Sequence, residues 1–161
     1  MSLQRAAALS GDRALATKKL CPKKFLGRTW ITRPRPQVDR VASAWLIRRF
    51  IEPKATFIFG NDPTTDPTAI PYDMFEVEFS HHGNDCTFET LVKRFTLTDP
   101  AVLKMAEMVH DSDLEDGKFQ TTEGIGIDRI LKGWAKTGLT DAELLARGRD
   151  CFEALYHFLR K

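Results

Sequence analysis

Four side chains of this sequence stand where their chemistry is costly or useful. His81 closes an alternating apolar run, Cys86 follows five residues later, and His110 and Asp113 fall on the apolar side of a helical stretch. Imidazole, carboxylate and thiolate together are ligands for a divalent zinc, manganese or iron ion. The competing reading is a buried hydrogen-bond network in which ring and carboxylate satisfy each other. Left unpaired in a core, each such group costs roughly a few kcal/mol.

Their placement follows from periodicity. Phe75, Val77 and Phe79 alternate with Glu76, Glu78 and Ser80, the pattern of a half-buried strand. Continued two positions, it turns His81 inward and His82 outward with the glutamates. Gly83, Asn84 and Asp85 form a turn that returns Cys86 toward His81. On residues 100–114 a helical wheel places Val102, Ala106 and Val109 on one face, with Asp113 between them, His110 at the edge, and Lys104 and Asp111 on the far side. Asp113 also sits near a helix C-terminus, where the dipole disfavours negative charge, so it calls for a cation. His82, Glu78, Glu123 and Asp39 are secondary candidates: His82 as a turn residue able to ligate, Glu78 as a general base, Glu123 at a helix start.

An anion site is the second constellation. Arg33, Arg35, Arg40, Arg48 and Arg49 crowd into 17 residues with only Asp39 to offset them. The wheel for residues 37–51 puts Arg49 near the middle of the Val38, Ala42 and Trp45 stripe and Arg48 on its flank. A guanidinium fork suits a carboxylate or a tetrahedral oxyanion such as chromate, sulfate or phosphate. An Arg49–Asp113 ion pair is the rival, since each would answer the other's burial. Arg40, Arg48 and Arg49 are therefore the anion-binding candidates.

The elements that must position these groups begin with a short strand at 28–32, followed by Pro34 and Pro36 leading into a helix that Pro53 ends. Residues 55–59 suit a buried strand of parallel-sheet or sheet-core character, and 60–71, with three prolines, a surface loop. Helices are expected at 87–95, 100–114, 123–136 and 141–160, the last opened by a Thr140/Glu143 capping box. A short helix at 5–20 is interrupted by Gly11. Strands first and helices later predict an α+β fold, a small sheet in the N-terminal half packed against several helices with a helical C-terminal half.

The 161 residues suffice for one core. Residues 1–28 carry a net charge of +6 and the remainder −4, which divides the chain into a basic arm (1–27) and a mildly acidic domain (28–161). The acidic body argues against nucleic acid as a partner. Cys21, Cys86 and Cys151 show no paired spacing, and no apolar run is long enough for a membrane span, so a reducing cytoplasm is the expected location. The arm is a candidate contact for a homo-oligomer. No P-loop, GxGxxG, HExxH or zinc-ribbon spacing occurs.

Three segments together resemble a known family: WITRPRPQVDRVASAWLIRRFIEPKATFIF at 30–59, FEVEFSHHGNDCTFETL at 75–91, and VHDSDLEDGKF at 109–119 with Glu123-Gly124. They are similar to the chromate-resistance ChrB-type domain, the C-terminal domain of ChrB-like proteins, over about residues 28–160. The resemblance implies a role in bacterial resistance to or sensing of chromate, a stress response, with no established reaction. It places Ser80-His81, Cys86, Asp113, Asp39, Arg40, Arg48 and Arg49 inside the family's pattern, with His110 typical of one branch. Longer relatives carry an N-terminal domain associated with regulation, where this chain has a short arm.

Three readings of function follow. The leading one is a domain binding a divalent metal, an oxyanion or both through His81, His110, Asp113 and Cys86 with the arginines alongside. The second is a metal-dependent hydrolase or redox enzyme using the same site. The third is a nucleic-acid-binding regulator of a chromate-resistance operon.

Overall fold

The computed structural model describes residues 19–161. The expected helix at 5–20 therefore falls, but for its last two residues, outside the described residues. So does most of the basic arm.

A 3-10 turn at Pro22–Phe25 leads into strand β1 (Thr29–Thr32). Helix α1 (Val38–Leu46) runs on into a π-helical turn, Ile47–Ile51, before β2 (Thr56–Phe59) and the two-residue β3 (Ile70–Pro71). Four further helices complete the chain: α2 (Thr87–Arg94), α3 (Pro100–Leu114), α4 (Glu123–Ala135) and α5 (Asp141–Leu159). The strands form a parallel sheet in the order β2-β1-β3, with Trp30 paired to both Phe57 and Ile70. The fold is α+β with a helical C-terminal half, as the element pattern predicts. No helix among the described residues is long and apolar enough to cross a membrane.

The core gathers around α1, whose Val41, Ala42, Ala44, Trp45 and Leu46 are all buried, as is Ile47 at the start of the π turn. Trp45 packs on Phe88 and Tyr156, and Trp30 on Phe25, Tyr72 and Phe79. Helix α5 lies so close to α1 that a Cβ on Gly148 would stand 2.0 Å from Val41 Cγ1. Only glycine admits that approach.

Four local expectations are corrected. Residues 75–79 do not form a strand: Asp73 and Glu76 take left-handed backbone (φ 47° and 57°), and Phe75 is 86 % exposed. The chain turns there, so that Phe79 returns beside Tyr72 in an isolated bridge with the Asp73 N–H donating to the Phe79 carbonyl (2.7 Å). Strand β2 is parallel but sits at the sheet edge, and none of its residues is fully buried. Residues 70–71, assigned to a loop, supply the third strand. The π turn also spoils the wheel beyond Leu46, because a wider turn shifts the phase of every later residue. Arg49 consequently reaches the surface, lies over Phe50 and Tyr156, and pairs with Glu153 (3.3 Å) rather than with Asp113.

A carboxylate-imidazole cluster as the candidate cation site

The parallel strands dictate where the site lies. Chain leaving the carboxyl ends of β1 and β3 delivers Asp39 and Arg40 in the first turn of α1, and Tyr72 and Asp73 after β3. In open parallel sheets ligands gather at this end of the strands.

Asp39 is the hub. It is 1 % exposed and accepts the backbone N–H groups of Thr87 and Phe88 at 2.9 Å each, so a side chain from α1 closes the open N-terminus of α2. His81 Nε2 lies 3.1 Å from Asp39 Oδ2, 3.1 Å from Asp113 Oδ2 and 3.6 Å from Asp73 Oδ1. Asp73 in turn accepts from Thr87 Oγ1 (2.9 Å) and pairs with Arg40 Nε (3.0 Å). One ligand atom each from Asp39, His81 and Asp113 falls within 4.8 Å of the others. Three carboxylates thus converge on one imidazole, from α1, the turn after β3 and the last turn of α3.

Protonation follows the geometry. Burial, reinforced by the charges of Asp73 and Asp113, lifts the Asp39 carboxyl to about 6 against the relief given by His81. Hydrogen bonds to Asp113 and Asp39 raise His81 to about 10 despite partial desolvation. The ring is therefore a cation held among carboxylates, with 42 % of its side chain in solvent, half-open where the alternation predicted it turned inward. A divalent ion could replace that proton, since hard oxygen donors plus one nitrogen suit manganese, iron or zinc.

His110 and Cys86 belong to the layer beneath. His110 is fully buried, and both ring nitrogens are engaged, Nδ1 with Glu89 Oε2 (2.7 Å) and Nε2 with Asp116 Oδ2 (2.9 Å). Burial opposes its protonation, but those two bonds outweigh it and raise the pKa. The Cys86 thiol is buried, and desolvation pushes its pKa far up, the opposite of what a thiolate ligand requires. The Cys86 N–H donates to the same Glu89 Oε2 (2.8 Å). The structure thus brings together His81 and Asp113 of the expected ligands, promotes Asp39 from the secondary rank, and leaves His110 and Cys86 out.

The other candidates have structural partners. Glu78 pairs with the buried Arg94, and the Glu78 carbonyl lies 2.6 Å from His82 Nε2. Glu123 opens α4, and its carboxylate accepts from Thr122 Oγ1 (3.4 Å). Arg48 Nε donates to the Ala55 carbonyl (2.8 Å), joining the π turn to the approach of β2, and Arg40 holds Asp73. Asp111, placed by the wheel on the far side, is 7 % exposed because the chain after α3 folds over it and donates the Phe119 and Thr121 N–H groups. Asp73 was missed altogether. Its signal lay in Pro71-Tyr72-Asp73 at the end of a strand too short to register as one.

Comparison with known proteins agrees with this picture at the level of family. A curated relative, "Protein ChrB" of Cupriavidus metallidurans, is 36 % identical over 140 residues, covering 85 % of this chain. The match takes in 43 % of that protein, so the chain spans less than half of its relative's length. No solved structure matches the chain. The family model described as "ChrB, C-terminal domain" covers residues 30–159, from β1 to the end of α5, and the chain belongs to that chromate-resistance family.

Proposed function

We propose that this domain binds one divalent cation through Asp39, His81 and Asp113, with Asp73 held behind them by Arg40, and that it serves chromate resistance in the bacterial cytoplasm as a binding module. The observation that carries this reading is the convergence of three carboxylates on a single half-exposed imidazole. Without a bound ion, a protonated ring holds the carboxylates together. With one, neutral imidazole and the carboxylates would share the metal's charge, and Asp39 would lose the electrostatic burden that raises its pKa. His110, Glu89 and Asp116 would form the supporting layer under α2 and α3 rather than part of the coordination sphere.

An enzymatic role for the same ion is favoured by one observation, the exposure of His81, which leaves the cation open to water on that side. Glu78 would not serve as its base, because its carboxylate is engaged by Arg94.

The test is elemental analysis and titration with manganese and zinc. The purified chain should take up about one ion per molecule, and Asp39→Asn and His81→Ala should each weaken binding by about tenfold or more. A chain that binds neither ion, or variants that bind as well as the parent, would overturn the proposal.

A further inference from the structure

The two edges of the sheet are finished differently. On one side β3 is two residues long and ends in Pro71, a short edge blunted by a residue without an N–H to offer a further strand. On the other, β2 reads Thr-Phe-Ile-Phe, with no charge, proline or left-handed residue to discourage pairing. Phe57, Ile58 and Phe59 are only half-buried, and no strand lies beyond them among the described residues.

One bond fixes which backbone groups face outward. The Gly60 N–H donates to the Thr32 carbonyl (2.9 Å), so in this parallel ladder Thr56, Ile58 and Gly60 turn their peptide groups toward β1, while Phe57 and Phe59 turn theirs away. Neither phenylalanine has a backbone partner on that outer side among the described residues. Ala55, the preceding outward residue, is already engaged: its N–H reaches the Glu52 carbonyl (3.0 Å), and its carbonyl takes Arg48 Nε (2.8 Å). The open edge therefore consists of the N–H and C=O groups of Phe57 and Phe59.

We infer that β2 pairs antiparallel with β2 of a second copy of this chain, about a two-fold axis through Ile58, joining the two sheets into one. The open groups select that register. An axis through Phe57 would set Phe59 against Ala55, whose groups are spent, and an axis through Phe59 would set Phe57 against Asn61, beyond the strand. With the axis through Ile58, Phe57 of each copy meets Phe59 of the other, and every open group finds a partner. Ile58 then meets Ile58 in a non-hydrogen-bonded pair, where side chains stand closest. The same register aligns Lys54 of one copy with Asp62 of the other at both ends of an uncharged strand. Both side chains are exposed, neither has an ion pair among the described residues, and Thr64 occupies only one Asp62 oxygen. The edge thus carries charges complementary to itself, which is the argument for a second copy as its occupant. No residue of the cation site takes part, so the two readings can fail separately.

Sedimentation of the full chain from about 5 to about 500 μM should show a monomer–dimer equilibrium with a micromolar Kd, as befits a small interface. Lys54→Glu sets like charges against each other at both ends and should weaken the dimer about fivefold, as should Asp62→Lys; an equal mixture of the two variants restores both pairs and should recover the parent's affinity. The axis is tested by Ile58→Cys in a chain carrying Cys21→Ser and Cys151→Ser. Directly opposed residues of a non-hydrogen-bonded pair lie about 4.5 Å apart at Cα, within disulfide reach, so mild oxidation should link these chains, whereas Thr56→Cys, opposite Gly60, should not link. Thermal melts of dilute samples confirm that each variant folds, and the exposed Lys54→Glu carries the test should Ile58→Cys melt early. A chain monomeric at every concentration, a dimer as strong in both charge variants as in the parent, or folded Ile58→Cys chains that do not link would each overturn the inference. So would a monomer whose Phe57 and Phe59 amides gain hydrogen-exchange protection only from an added extended peptide, the mark of an edge that accepts another partner.

Discussion

Asp39 Oδ2 and His81 Nε2 stand 3.1 Å apart across 42 residues of chain. The carboxylate is buried, the ring is half-exposed, and the same carboxylate closes the N-terminus of α2. One side chain therefore joins fold and site, and this coupling makes its replacement informative.

Asp39→Ala should destabilise the domain by about 2–4 kcal/mol, because two helix N–H groups and the imidazolium lose their acceptor in a buried setting. Asp39→Asn keeps an oxygen for one of those N–H groups and should lose less. Urea denaturation of both variants reads the difference. Equal stability of Asp39→Ala and the parent would contradict the hub role.

Protonation of His81 makes cation binding and pH inseparable. Its folded pKa of about 10 stands above the ordinary 6.5, so the ring's contribution to stability is fully present below about pH 6.5 and is lost as pH rises through 10. Asp39 acts in the same direction at lower pH, since its folded pKa of about 6 is also raised, above 3.8. In the absence of metal, stability should fall with rising pH over both windows, and His81→Gln should flatten the upper one. A bound divalent ion must displace the His81 proton, so its affinity should climb as pH rises from 7 toward 10, with release of about one proton per ion near neutrality. Calorimetry in buffers of differing ionisation enthalpy counts that proton, and a count of zero would place the ion elsewhere.

His110→Gln separates the two histidines. Loss of the buried bond to Glu89 should lower stability by about 1–3 kcal/mol, while Asp116, whose side chain is exposed, can turn to water. Cation affinity should remain close to the parent's, measured at a temperature where the variant is folded. A tenfold loss of affinity in the folded variant would return His110 to the ligand set.

Gly148→Ala tests the α1–α5 seam. The added methyl would stand 2.0 Å from Val41 Cγ1, and overpacking of this kind costs about 1–3 kcal/mol. Val41→Ala in the same chain should recover part of it, a coupling that thermal melts of the four chains measure.

Much was legible in the sequence. Helix spacing and end signals located α2, α3, α4 and α5 to within a residue or so, because each carries its own apolar stripe and terminal residues. A strand at 56–59 was readable, though not its edge position, as was the unease of a carboxylate at the end of α3. The family followed from segments that stay together in sequence.

What the chain alone did not determine lies wherever partners come from distant segments. Alternation at 75–79 promised a strand, but a strand needs a neighbour to bond with, and two left-handed residues turn the chain back onto Tyr72 instead. On α3 the wheel ranked Asp113 deeper than His110, and packing reversed them, because Glu89 and Asp116 engage both nitrogens of the buried ring while Asp113 faces His81 near the surface. Residue types and periods are local properties, so the sequence determined the elements, the chemistry available and the family. Which carboxylates surround His81, and which carboxylate holds Arg49, depends on contacts across tens of residues, and those only the tertiary structure decided.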